Sequence, residues 1–258
     1  MLRYSYLFSQ LVRRELRQKY KGSVLGVLWY FVNPLVIMAL YGVMLGPLLK
    51  AVNIPDYPIF ILAGLLVWLF FSQSLLAASG SLVEQSSLVS RVRFPRESVP
   101  AAVVAVQLVP FFAMLVILLP VTLILRGNAS PALVELVPLI VCMFLFTLGL
   151  ALLVAVLHAY YRDVQPILNA ALLPLFFVSG VLFNIQTLPG LHSHPWAEPL
   201  LRWGNPIAPF ISSVRTVVYS GRTPGATTLL YVAVAAALSA VVGITLFRRL
   251  EGELAVVL

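Results

Sequence analysis

Six long stretches of this chain carry no charge. They run over residues 26–49, 57–80, 99–125, 136–158, 164–185 and 226–247, and none holds an Asp, Glu, Lys or Arg. A helix that crosses the hydrocarbon core of a bilayer needs about 20 mostly apolar residues, and each stretch supplies them. Backbone inside a bilayer must satisfy its own hydrogen bonds, which for runs of this length means helices. Composition agrees: 61% of the residues are hydrophobic and 10% are charged, against about 25% charged in a soluble domain. The expectation is an all-α integral membrane protein with six transmembrane helices. It forms a single domain over residues 1–258, with little chain left for a separate soluble unit.

The charges that remain are distributed unevenly. An even number of spans puts both termini on one side. That side holds residues 1–25, 81–98, 159–163 and 248–258, with twelve of the seventeen Lys and Arg. The other side holds Lys50, Arg126, Arg202, Arg215 and Arg222. The basic side is cytoplasmic by the positive-inside rule. The net charge of +8 therefore marks orientation and does not call for nucleic acid.

Before the first span, residues 1–25 read as an amphipathic interface helix. At 100° per residue, Arg3, Gln10, Arg13, Arg14, Arg17 and Lys21 share an arc of roughly 100°. Tyr4, Leu7, Phe8, Leu11, Val12, Leu16 and Tyr20 take the rest. Glu15 and Lys19 fall on the apolar side in the acid-first, four-apart order that favours pairing. Such a helix lies flat in the membrane interface, so a bend is expected at Gly22 and Gly26. Arg13, Arg14 and Arg17 also interrupt any early apolar core, so no cleavable signal peptide is expected.

The loop over 81–98 spaces Leu82, Val83, Val89 and Val92 near a helical period. It predicts a short amphipathic helix stopped by Phe94-Pro95. Pro110 and Pro120 are expected to kink the third span. Arg162 and Asp163 sit in the tight turn between the fourth and fifth spans. Residues 186–225 are too rich in proline to span and too apolar for a free loop. Two short helices, roughly 195–203 and 207–219, are expected to dip into the external leaflet, with Trp196 and Trp203 at headgroup level.

Several chemistries find little material. Cys142 is the only cysteine, so no internal disulfide forms. A phosphate-cradling P-loop needs Gly-Lys-Ser/Thr, and none of the fifteen glycines is followed by Lys. Ion-coupled carriers keep an acid or His within their spans; here His158 stands only at a span end. His192 and His194 with Glu198 form a polar loop, and no metal site is assigned there.

The motifs together resemble the permease subunit of type-2 ABC polysaccharide exporters, the family that exports O-antigen, teichoic acid and capsule-like glycans. The matching features are Arg14-Glu15 with Tyr20-Lys21-Gly22-Ser23 and Leu25-Gly26 before Trp29; Asn33-Pro34; Phe94-Pro95-Arg96-Glu97; Tyr161-Arg162-Asp163-Val164; Ser179-Gly180; and Asn205-Pro206 with Pro209 and Arg215. The resemblance implies a homodimer of permeases over two separate ABC ATP-binding subunits, which carry the ATP and Mg; no cofactor and no catalytic residue is expected in this chain. It implies that 81–98 is the main coupling helix and 159–164 a lesser one. Candidate coupling residues are Glu84, Ser87, Arg91, Arg93, Phe94, Arg96, Glu97, Arg162 and Asp163. It also implies re-entrant external helices within 186–225, where Trp196, Trp203, Asn205, Pro206 and Arg215 are candidates for an external gate.

A lipid-linked polysaccharide presents hydroxyls and apolar sugar faces, which aromatic side chains suit. Trp29, Tyr30, Phe31, Tyr41, Trp68, Phe71, Phe176, Phe177 and Phe183 are the candidate path residues. Arg13, Arg14, Arg17, Lys19 and Lys21 are candidates for attracting its anionic headgroup. The expected setting is a plasma or bacterial inner membrane with both termini cytoplasmic. Two other readings stay open: a type-2 exporter of a drug or small lipid, and a polytopic membrane glycosyl or acyl transferase.

Overall fold

The computed structural model describes residues 2–20, 26–45, 54–86, 94–127, 130–185 and 196–252. These residues are almost entirely helical. Helix α1 (Leu2–Tyr20) is followed by a single 3-10 turn, Gly26–Leu28, and α2 (Trp29–Leu45). Then come α3 (Tyr57–Glu84), α4 (Ser98–Arg126) and α5 (Leu136–Tyr160). Helix α6 (Val164–Val178) precedes a short helical excursion, and α7 (Ala208–Val218) and α8 (Ala226–Leu250) close the chain.

Four of these helical stretches are long and apolar enough to cross a membrane: α3, α4, α5 with its preceding 3-10 turn, and α8. Helices α2 and α6 are apolar but shorter. Helix α3 is the centre. It is apolar all round, as a buried helix is, and Ile61, Leu65, Leu66 and Val67 are buried against α4, α5 and α7. Helix α4 runs unbroken through Pro110 and Pro120.

Among the described residues, the packing of α5 against α8 is the most extensive, and small residues permit it. A Cβ on Gly149 would collide with the carbonyl of Ser239, and one on Gly243 would collide with the carbonyl of Gly149. Ser239 Oγ donates to the carbonyl of Phe146 at 2.7 Å across the same contact. Close backbone approach at small residues is how apolar helices associate where water drives nothing.

Two expectations need correction. The fifth apolar stretch is not helical to residue 185. Helix α6 stops at Val178, because Ser179 caps it and Gly180 turns left-handed at φ +69°; glycine is the residue that adopts this turn without strain. Leu82 and Val83 do not begin a separate loop helix; they complete the last turn of α3. The remainder of that expected helix, with Ser87, Arg91 and Arg93, lies outside the described residues. The expected bend at Gly26 agrees with its φ of +47°; Gly22 lies outside the described residues.

Candidate functional site

The basic end of the bundle gathers three chain segments. Phe94-Pro95-Arg96-Glu97 leads into α4, His158–Tyr160 ends α5, and Arg248–Glu251 ends α8. Glu97 pairs with Arg248 at 2.9 Å. Arg96 donates to the backbone carbonyl of Glu251, and the Tyr160 hydroxyl donates to the carbonyl of Leu250 at 2.6 Å. Beneath them lies a small apolar core of Leu82, Val99, Leu152, Val156 and Phe247, against which Phe94 packs. Arg162 and Asp163 stand exposed in the neighbouring turn.

Helix α1 docks at the same end. Leu11 is buried, while Arg13, Arg14 and Arg17 are exposed, as the helical arc predicts. Glu15 and Lys19 each reach a neighbouring helix: Gln85 Nε2 donates to Glu15 Oε1 at 2.5 Å, and Lys19 Nζ donates to Gln107 Oε1 at 2.7 Å. Burial pushes the Glu15 carboxyl above the usual carboxylate range, and the nearby charge of Glu84 adds to this; Arg14 and the Gln85 hydrogen bond oppose it. Lys19 is exposed as a whole residue, yet burial around its ammonium lowers the pKa. Lys21 lies outside the described residues.

Midway along the bundle, α2, α3 and α6 line an open apolar cleft of about 330 Å³. Tyr41, Trp68 and Phe176 line it, with Ser72 and Asn169 as its polar groups. The three rings touch: Trp68 and Phe176 lie 5.4 Å apart, and Tyr41 and Phe176 lie 5.8 Å apart. Phe177 adjoins Phe176 and is exposed. Phe71 instead points into the core, where it stacks on Phe146 at 6.0 Å. Trp29 is exposed, Phe31 and Phe183 are partly buried, and the Tyr30 side chain lies outside the described residues.

The opposite end is built around one cation. Arg215, on α7, is only 8% exposed. Its guanidinium donates to the carbonyls of Gly180 at 2.9 Å and Val181 at 2.8 Å and lies 3.7 Å from the Phe60 ring centroid. Those carbonyls follow the C-terminal end of α6, where the helix dipole favours positive charge, and the ring face adds a cation–π attraction. Gly64 makes the room, since a Cβ there would strike the guanidinium. Asn205 donates to Ser179 Oγ at 2.9 Å and accepts from the Ile207 amide. Tyr57 donates to the Leu182 carbonyl at 2.9 Å, and Tyr219 to that of Pro55. Asp56 pairs with Arg126 at 2.9 Å. Before α7, a helical turn (Ala197–Pro199) runs into a π-helical turn (Leu200–Gly204). There Tyr231 donates to the Trp203 carbonyl at 2.8 Å, while Trp196 is exposed and Pro206 partly buried.

This arrangement of apolar helices, latched at both ends, matches known transporters in sequence. The profile of the "ABC-2 type transporter" family matches residues 6–219. The chain belongs to that family. It is 34% identical over 237 residues to the "O-antigen export system permease protein RfbA" of Myxococcus xanthus, covering 90% of this chain and 88% of the relative. A protein of the same description from Klebsiella pneumoniae is 26% identical, covering 77% and 80%. The "Polysialic acid transport protein KpsM" of Escherichia coli is 22% identical, covering 93% and 92%. The chain is thus a multi-pass membrane protein of a transporter family.

In this ABC-2 permease chain, the structure brings together Phe94, Arg96 and Glu97 at one end and Asn205 and Arg215 at the other. Phe71 touches Trp68, with ring centroids 5.9 Å apart, but does not line the cleft with Tyr41, Trp68 and Phe176. Sequence reading missed Gln85, Gln107, Gly64, Gly149, Gly243 and Glu251. Each of these makes its contact with a residue distant in sequence or with backbone, which periodicity does not reveal. The Tyr57 and Tyr219 hydroxyls carried one available signal: an apolar helix terminus with a tyrosine often anchors its polar tip.

Proposed function

We propose that this chain is the membrane permease subunit of an ATP-driven exporter that moves a lipid-linked polysaccharide outward from the cytosol. The observation that carries the reading is the 34% identity to an O-antigen export permease along 88% of that relative. Correspondence over most of both chains supports a shared role for the whole bundle and not for one motif. The polysialic acid transport relative, matched over 92% of its length, supports a glycan as cargo.

On this reading the chain forms one transmembrane domain, in which α2 and α6 join the four longer helical stretches as spans. The twelve-to-five distribution of Lys and Arg supports cytoplasmic termini, and the bacterial relatives support an inner-membrane setting. Two copies associate over two ABC ATP-binding subunits, which hold ATP and Mg. The 81–98 loop receives motor closure, with Glu84, Ser87, Arg91, Arg93, Phe94, Arg96 and Glu97 as contacts, and the Arg162-Asp163 turn assists. Arg13, Arg14, Arg17, Lys19 and Lys21 form the collar that draws the anionic lipid head. Tyr41, Trp68 and Phe176 offer ring faces to sugars along the path. The stretch from Trp196 to Tyr219 forms the re-entrant external gate, whose irregular backbone is tolerated because it lies against protein.

The test is reconstitution in inverted membrane vesicles with the ATP-binding subunit. Lipid-linked glycan should enter the lumen only with ATP and only when the motor retains its phosphate-binding lysine. Uptake that persists without ATP, or that follows an ion gradient, would overturn the reading.

A further inference from the structure

Above the Arg215 knot lies a cavity of about 320 Å³ between α7, the turn after α6 and the start of α8. This volume lies at the lower end of small-molecule sites. Arg202, whose guanidinium also lies over the Trp203 ring, and Arg215 both line it, and among the described residues its lining holds no carboxylate. Buried cations are costly unless paired. Arg215 uses two of its donors on the Gly180 and Val181 carbonyls, and its Nε is buried with no hydrogen-bond partner among the described residues. Ser213 Oγ, also in the lining, is in the same condition. The other polar groups are neutral: Asn184, Ser212 and Thr216 among them. The hydroxyls of Ser212 and Thr216 spend their protons on backbone carbonyls and so present lone pairs to a ligand that donates. Phe60 and Phe183 supply apolar ring surface.

We infer that this cavity is a binding subsite for an anionic sugar unit, one that carries a carboxylate or phosphate on a hydroxyl-bearing ring. Guanidinium forks match such anions, neutral acceptors match sugar hydroxyls, and the ring faces match apolar sugar faces. A neutral sugar leaves the cations without a counter-charge; a bare anion leaves the aromatic and hydroxyl lining unused. The inference rests on the glycan-export reading for its biological ligand, the exported chain at its exit.

The test uses the full chain with its ATP-binding subunit in nanodiscs of zwitterionic lipid, with saturation-transfer NMR as readout. The probes are glucuronate, glucose and inorganic phosphate. Glucuronate should bind, with glucose at least tenfold weaker and phosphate a poor competitor. Arg202→Gln should raise the glucuronate Kd at least tenfold, and Arg202→Lys should restore part of it. Arg202 is chosen because Arg215 also holds the fold; Thr216→Val provides a second, nearly isosteric variant and should weaken binding less. Equal binding of glucose and glucuronate, full displacement by phosphate alone, or unchanged binding in both Arg202→Gln and Thr216→Val would overturn the subsite. ATP-driven export of the native glycan is read in parallel. Export with no glucuronate binding rejects the subsite and keeps the exporter reading; glucuronate binding with no export does the reverse.

Discussion

Glu97 and Arg248 stand 151 residues apart in sequence and meet at 2.9 Å. Their pairing ties the entry to α4 to the last turn of α8, beside the Arg96 contact with the Glu251 carbonyl. Arg248 is largely exposed, so the pair is screened by salt and small in stability. Glu97→Arg should lower the thermal unfolding midpoint modestly at low salt, and adding Arg248→Glu should recover most of the loss. The difference should shrink near 1 M salt, where the Debye length falls to about 3 Å. Fluorescence-detected unfolding of the detergent-solubilised protein measures both.

The α5–α8 seam should be the most sensitive packing surface. Gly149→Val and Gly243→Val each force a side chain into facing backbone, and overpacking of this kind costs about 1–3 kcal/mol or more. Both variants should lose most folded yield in size-exclusion chromatography. Ser239→Ala removes only the hydrogen bond to Phe146, worth about 0.6 kcal/mol on average between membrane helices. It should fold nearly as well as the parent.

Gly64 and Arg215 should behave as one unit. Arg215→Met leaves the Gly180 and Val181 carbonyls without their donors, at a cost of about 1–3 kcal/mol for each unsatisfied group. Gly64→Ala collides with the guanidinium and should be destabilising alone. Combined with Arg215→Ala, the methyl loses that collision and meets only Val181, at 3.1 Å and beyond, so the double variant should be more stable than the separate Gly64→Ala and Arg215→Ala losses predict, by about 0.5–3 kcal/mol of coupling. Additive losses would show that Gly64 serves another purpose.

Much of the fold was legible because charge-free length is a strong signal: α3, α4, α5 and α8 begin and end within a few residues of the apolar runs. The sidedness of α1 was legible for a similar reason, since Arg13, Arg14 and Arg17 share one arc. The α6 terminus was not, because residues 181–185 are as apolar as a helix and only the Ser179-Gly180 turn distinguishes them. Nor was the burial of Arg215, which depends on Gly64 leaving space on a different helix. Trp68 and Phe71 look equivalent in sequence, three apart on α3, yet one faces the α2–α6 cleft and the other the core.

Docking of α1 should respond to pH through Glu15. Burial raises its pKa above the ordinary 4.5, so the folded protein holds this proton more tightly than the unfolded chain. The stability associated with protonated Glu15 is fully present below the ordinary value and is lost as pH rises through the folded one. Glu15→Gln mimics the neutral acid. It should therefore be more stable than the parent at neutral pH, and the difference should vanish as pH falls below the ordinary carboxylate value. Unfolding midpoints of the two proteins across pH 4–8 decide this; a constant difference would refute it.

The central claim is that this chain works as the permease of an ATP-driven complex. The most direct measurement is affinity purification of the tagged chain in mild detergent, followed by mass spectrometry with quantitation. An ABC ATP-binding subunit should copurify in one-to-one ratio with the chain. A chain that purifies alone, with no ATPase partner under conditions that keep it folded, would contradict it.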